Sequence, residues 1–448
     1  MIIKKMKYNL LILYSFLLFI NIFQFSISHL LFPFKTHQST IKNTEENITL
    51  LFMSLIDNHI FINLEIGEPK QNIEAFLRMD TYDFYISQKP QNDTNNPYII
   101  NYDSDLSKFY DKNNSNSLEI TDILIDNYFG SGNEANDYIY FTNNEKKIIK
   151  ERLPFILYNL TLLNISSVIG LDNVLDEEYK KYNFIDKLKE NDIIDSYFWM
   201  INYTSNYEGN LMIGEFPHII DPLNFKEENL VMYYPFLEDT TFGWGLTFDK
   251  INFGEKYFQQ YYDFFITYEI NYIKGIIELE KELDKYFKES IDNGICFKKV
   301  FNYKEGPKKF FYCNKDKYKD NIKLFPKLEF FQFDFNYTFE LDYKDLFVEK
   351  DDKLILLIFF DDALFDWQFG KPFLRKYSFL MNQDTNILYF YKNNHNNNEN
   401  NGGHNNGGNN NNNVDNNNND YIVLKIIFII IGIIILLVLG IFIGKYII

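Results

Sequence analysis

Trp367-Gln368-Phe369-Gly370-Lys371-Pro372-Phe373-Leu374-Arg375-Lys376-Tyr377 is the stretch of this chain that carries most information about its fold. Two runs with strand character follow it closely, Phe379-Leu380-Met381-Asn382 and Ile387-Leu388-Tyr389-Phe390. Similar runs recur toward the N-terminus: His59-Ile60-Phe61-Ile62-Asn63-Leu64, Asn210-Leu211-Met212-Ile213, and Lys327-Leu328-Glu329-Phe330-Phe331-Gln332-Phe333. Short alternating or aromatic-rich runs, broken by Asn, Asp and Gly, predict strands at the spacing of a barrel or sandwich. Helical periodicity is confined to two patches, residues 176–191 and 277–291. The sequence therefore predicts an all-β body over 58–392 with a few short helices. The two helical patches fall in separate halves, which suggests two lobes, about 58–205 and 206–392.

The ends point to the secretory pathway. Lys4, Lys5 and Lys7 precede an apolar run over residues 10–25, and Ser26-Ile27-Ser28 supplies small residues for cleavage, so 1–28 reads as a signal peptide. Residues 29–57 read as a short N-terminal, pro-like segment. Residues 393–420 are almost all Asn with Gly pairs and have no apolar set to bury, which predicts a flexible stalk. The segment 421–448 holds an uncharged apolar run, 426–444, between Lys425 and Lys445. At about 1.5 Å rise per residue it matches the hydrocarbon thickness of a bilayer, so a transmembrane helix is expected, with a cleaved lipid-anchor (GPI) signal as the alternative. A net charge of −18 excludes the basic face that a nucleic-acid binder needs. Sequons at Asn47, Asn92, Asn113, Asn159, Asn164, Asn202 and Asn336 agree with lumenal exposure. Cys296 and Cys313 are the only cysteines, and an oxidising lumen favours their joining over two free core thiols. No Cys/His spacing indicates a metal site, and no cofactor motif appears.

Taken in order, the landmarks resemble the pepsin-like aspartic proteases over nearly the whole body. Ile66-Gly67-Glu68-Pro69-Lys70-Gln71 is similar to a segment near the start of the family's first lobe, and Phe129-Gly130-Ser131-Gly132 to its flap hairpin, with Phe129 where Tyr is usual. Val168-Ile169-Gly170-Leu171, Glu208-Gly209-Asn210-Leu211-Met212-Ile213-Gly214 and Trp244-Gly245-Leu246-Thr247-Phe248-Asp249-Lys250-Ile251 resemble later segments. Trp367 to Tyr377 is very similar to the family's Trp-x-Leu-Gly-x-x-Phe-Leu-Arg-x-Tyr. The resemblance implies a bilobal pepsin-like fold, and it places Cys296 and Cys313 at the family's second-lobe disulfide.

The family cuts peptides with two carboxylates, one from each lobe, that share a proton because like charges so close cannot both ionise. Counting from Gln71, the first expected aspartate falls on Arg78, and Phe84-Tyr85-Ile86 supports that register. In the second lobe the expected position is Thr267, with Gly275 matching a downstream glycine. A guanidinium cannot act as a base and a threonine hydroxyl cannot share a proton as a carboxylate does. Both loop glycines are replaced as well, by Asp80 and Glu269. These two acids occupy matching places, each two residues past the expected aspartate, and offer a displaced dyad as the rival reading. The resemblance thus implies a membrane-anchored pseudoprotease with a peptide or protein in its interlobe cleft. The alternative is an aspartic-type endopeptidase using Asp80 and Glu269.

Overall fold

The computed structural model describes residues 29–36, 59–79, 81–88, 102–110, 117–125, 128–142, 148–158, 167–172, 179–233, 244–258, 262–303, 306–333, 335–361 and 367–392. The expected signal peptide 1–28, the expected stalk 393–420, the apolar run 426–444, Asp80, and the sequons at Asn47, Asn92, Asn113, Asn159 and Asn164 lie outside these residues. Among the described residues no helix is long and apolar enough to cross a membrane.

The chain is mostly β. Its first half contributes β1 (Leu30–Thr36), β2 (Ile60–Ile66), β3 (Gln71–Arg78), β4 (Phe84–Ser87), β5 (Ser117–Ile125), β6 (Tyr128–Thr142), β7 (Ile148–Tyr158), β8 (Ser167–Gly170), β9 (Phe198–Tyr203) and β10 (Glu208–Ile213). The second half adds β11 (Leu230–Tyr233), β12 (Gly245–Phe248), β13 (Lys250–Phe253), β14 (Lys256–Phe258), β15 (Tyr262–Ile266), β16 (Ile273–Lys274), β17 (Cys296–Tyr303), β18 (Gly306–Asn314), β19 (Leu328–Gln332) and β20 (Tyr337–Leu341). It ends with β21 (Phe347–Lys350), β22 (Lys353–Leu356), β23 (Ile358–Phe359), β24 (Trp367–Phe369), β25 (Phe379–Asn382) and β26 (Ile387–Tyr391).

Burial follows the period of two that a pleated strand imposes. In β1, Leu30, Phe32, Phe34 and Thr36 point inward while Leu31, Pro33 and Lys35 face out. The same alternation runs through β2 and β3. The short strands β4 and β8 are buried at every position, as expected where both faces are covered. β1 departs from the sequence expectation. Within 29–57, where the sequence predicts a pro-like segment, Leu30–Thr36 forms a strand that fills the sheet between β10 and β2, because its inward-facing residues fit the inner face.

Thirteen strands form one sheet in the order β11-β26-β25-β9-β10-β1-β2-β3-β8-β4-β7-β6-β5. The remaining strands form three smaller sheets, β12-β15-β24-β16-β23, β14-β13-β19-β20 and β17-β18-β22-β21. Strands of both halves therefore share the large sheet. Cys296 and Cys313 face each other across β17 and β18 and are joined, with an S–S length of 2.05 Å.

The helices Phe184–Glu190 and Ile277–Asp292 answer the two periodic patches. The first is shorter than its patch because the Asn183 side chain accepts from the Asp186 N–H and caps the helix there, after a 3-10 turn at Tyr179–Tyr182.

Candidate functional site

Each half repeats one local arrangement. In the first, β3 runs parallel to β8, β4 lies antiparallel to the other side of β8, and the loop after Arg78 joins β3 to β4. In the second, β15 runs parallel to β24, β16 lies antiparallel beside β24, and the loop 267–272 joins β15 to β16. Arg78 pairs with Gly170 and Ile266 with Phe369. β8 ends on Gly170 and Gly370 directly follows β24, and each glycine touches the loop beside it. A Cβ at Gly170 would stand 2.5 Å from Thr81 O, and one at Gly370 would stand 2.3 Å from Tyr272 O. Backbone atoms cannot yield at such distances, so glycine is what lets strand and loop approach. The repeat makes the Arg78 loop and the Thr267 loop counterparts.

The counterpart loops meet. Glu269 Oε1 accepts the Met79 N–H at 3.1 Å and stands 3.8 Å from Arg78 Nε. One carboxylate thus receives a backbone donor and faces a guanidinium, both from the opposite half. The Arg78 and Glu269 side chains retain 20% and 26% of their exposure, so the contact is partly open to solvent. Thr267 Oγ1 accepts the Glu269 N–H at 3.3 Å, and its own N–H donates to Phe369 O at 3.0 Å. Tyr268 is buried beneath the loop, its ring centroid 6.4 Å from that of Tyr203. Trp244 Nε1 and Gln383 Nε2 both donate to Leu171 O, at 3.4 and 3.2 Å, adding second-half contacts to the first-half strand end.

The site residues named from sequence therefore separate into groups. Arg78, Thr267 and Glu269 come together. Asp80 lies outside the described residues. Phe129 lies in β6, on the hairpin with β5, where Gly130 pairs with Ile120. Of the described sequons, Asn336 is exposed in a turn with φ of 45°, whereas Asn202 is half-buried in β9 and its Oδ1 accepts from Ser378. Among the described residues no group of three or more His, Cys, Asp or Glu side chains could hold a metal ion.

Sequence reasoning did not single out an acidic cluster just past the first loop. Tyr85 Oη donates to Asp83 Oδ2 at 2.7 Å. Burial pushes the Asp83 carboxyl up to about 6, with the tyrosine hydrogen bond opposing it. Burial also pushes the Tyr85 phenol up, with Asp83 adding to it. Beside them, Tyr182 and Lys181 both donate to Glu134 of β6. The signal available in the sequence was the Asp83-x-Tyr85 spacing, which puts the two side chains on one face as β4 begins. No protein-family model and no curated protein matches this chain.

Proposed function

We propose that the chain is a membrane-anchored protein of the secretory pathway with a pepsin-like build, and that its cleft holds an extended peptide or a protein partner without cutting it. The observation that carries this reading is the contact of Glu269 with Met79 and Arg78 where the two counterpart loops meet. Peptide hydrolysis of the aspartic type needs one acid to take a proton from water while a second donates to the carbonyl. Arg78 can do neither, and the Thr267 hydroxyl is engaged with the Glu269 N–H. The Glu269 carboxylate is already bound to groups of the other half. The same arrangement suits recognition. Arg78 keeps enough exposure to meet an acidic group of a ligand, and strand-lined clefts bind extended peptides through backbone hydrogen bonds.

The test uses the full-length protein and an unfolded substrate across the acidic range, with and without a statine-type inhibitor. No cleavage is expected. Extended peptides bearing acidic residues should bind, and Arg78→Ala should weaken them about fivefold or more, the loss of about 1 kcal/mol. Cleavage that disappears in Asp80→Ala or Glu269→Ala would establish the endopeptidase reading instead. Absence of both cleavage and binding would end the cleft proposal.

A further inference from the structure

Lys371 opens the one-turn helix Lys371–Leu374 directly after Gly370, and its backbone N–H donates to Ile270 O at 2.9 Å. Its ammonium lies over two aromatic rings, 5.6 Å from the centroid of Tyr203 and 5.1 Å from that of Tyr207. One turn further on, Arg375 donates to Asn206 Oδ1. Tyr203, Asn206 and Tyr207 all belong to the hairpin that joins β9 to β10. Two cations are thus held side by side by one turn of helix and one hairpin, behind the loop that carries Thr267 and Glu269.

Neither cation has a carboxylate partner among the described residues. Other largely buried lysines do: Lys274 and Lys308 share Asp361 at 3.4 and 3.0 Å, and Lys376, next to Arg375, has Asp345 at 2.7 Å. Withdrawing an ammonium from water without an opposite charge is costly, and ring faces return only part of that cost. Burial first, and the like charge of Arg375 second, push Lys371 down to about 8. The arrangement resembles half of an ion-binding site, with the donors assembled and the counter-charge left to come from outside. Tyr207, 46% exposed, forms its outer wall, so the pair can be reached from solvent.

We propose that Lys371 and Arg375 form a binding site for a small oxyanion, a phosphate-, sulfate- or carboxylate-type group, held between the ammonium and the guanidinium. The site is independent of the cleft. Bringing an anion to Lys371 stabilises its charged form, so binding takes up a proton wherever the free lysine is partly neutral. Affinity must then fall as pH rises through about 8.

The experiment is calorimetric titration of the full-length protein with sodium sulfate and, separately, sodium acetate, at constant ionic strength. Sulfate does not titrate in this range, so any proton uptake belongs to the protein. Buffers of different ionisation heat at pH 8 read that uptake. Saturable binding is expected, with about half a proton taken up per anion at pH 8 and roughly tenfold weaker affinity at pH 9 than at pH 7. Saturation by sulfate marks a phosphate-type group and saturation by acetate a carboxylate, and either supports the site. Lys371→Met should remove both binding and proton uptake, and Arg375→Gln should weaken binding. Lys371→Arg should keep binding and lose its dependence on pH, which also covers the case in which Lys371→Met does not fold. Two outcomes overturn the proposal: no saturable binding of either anion, or binding whose pH dependence survives in Lys371→Arg.

Discussion

Asp83→Asn is expected to stabilise the protein at neutral pH and to leave it unchanged in acid. The Asp83 carboxyl sits in a desolvated position and is pushed from 3.8 up to about 6. That rise of about 2 units corresponds to roughly 3 kcal/mol between the two protonation states. The folded state holds the proton more tightly than the unfolded chain, so stability from this group is complete below about pH 4. It is lost as pH rises to about 6, and above that the folded protein carries the full cost of a buried charge. Asparagine has no charge to bury, and its side-chain oxygen can still accept the Tyr85 hydroxyl that stands 2.7 Å from Asp83 Oδ2. Urea denaturation of the wild type and of Asp83→Asn, followed by tryptophan fluorescence at several pH values, reads the difference directly. Other carboxylates titrate in both proteins and cancel. The variant should gain about 3 kcal/mol over the wild type between pH 4 and pH 7, a midpoint shift on the order of 1 M urea. A difference that stays constant over that interval, or that moves in favour of the wild type, refutes a desolvated Asp83.

Three further expectations concern the loop contact and the disulfide. Glu269→Ala leaves the Met79 N–H without its acceptor and should cost about 1 to 3 kcal/mol in urea denaturation. A double-mutant cycle with Arg78→Ala should then show coupling below about 1 kcal/mol, since the ion pair is 3.8 Å long and partly exposed. Replacing Cys296 and Cys313 together by serine opens a link across a sequence separation of 17 and should lower stability by about 3 kcal/mol, an effect that reductant on the wild type should reproduce.

The strand content was legible in the sequence because alternation of apolar and polar residues is a local property. It is visible in Ile60 to Ile66 and needs no knowledge of the partner strand. The pairing of Cys296 with Cys313 was equally accessible, since a chain with two cysteines has one intramolecular disulfide to form. Sequence also named Arg78, Thr267 and Glu269 by counting along the chain. It could not assign their contacts. Arg78 and Glu269 are 191 positions apart, and only the repeat of parallel strands, with a crowded glycine at or just past the end of β8 and β24, brings their loops together. For the same reason the role of Leu30–Thr36 as a sheet strand was not legible, because its neighbours β10 and β2 are chosen by tertiary packing. Alternation along a chain fixes which face of a strand is buried. Which carboxylate meets which guanidinium, and which lysine is buried beside an arginine, depends on distances between segments remote in sequence, and those exist only once the sheets have closed.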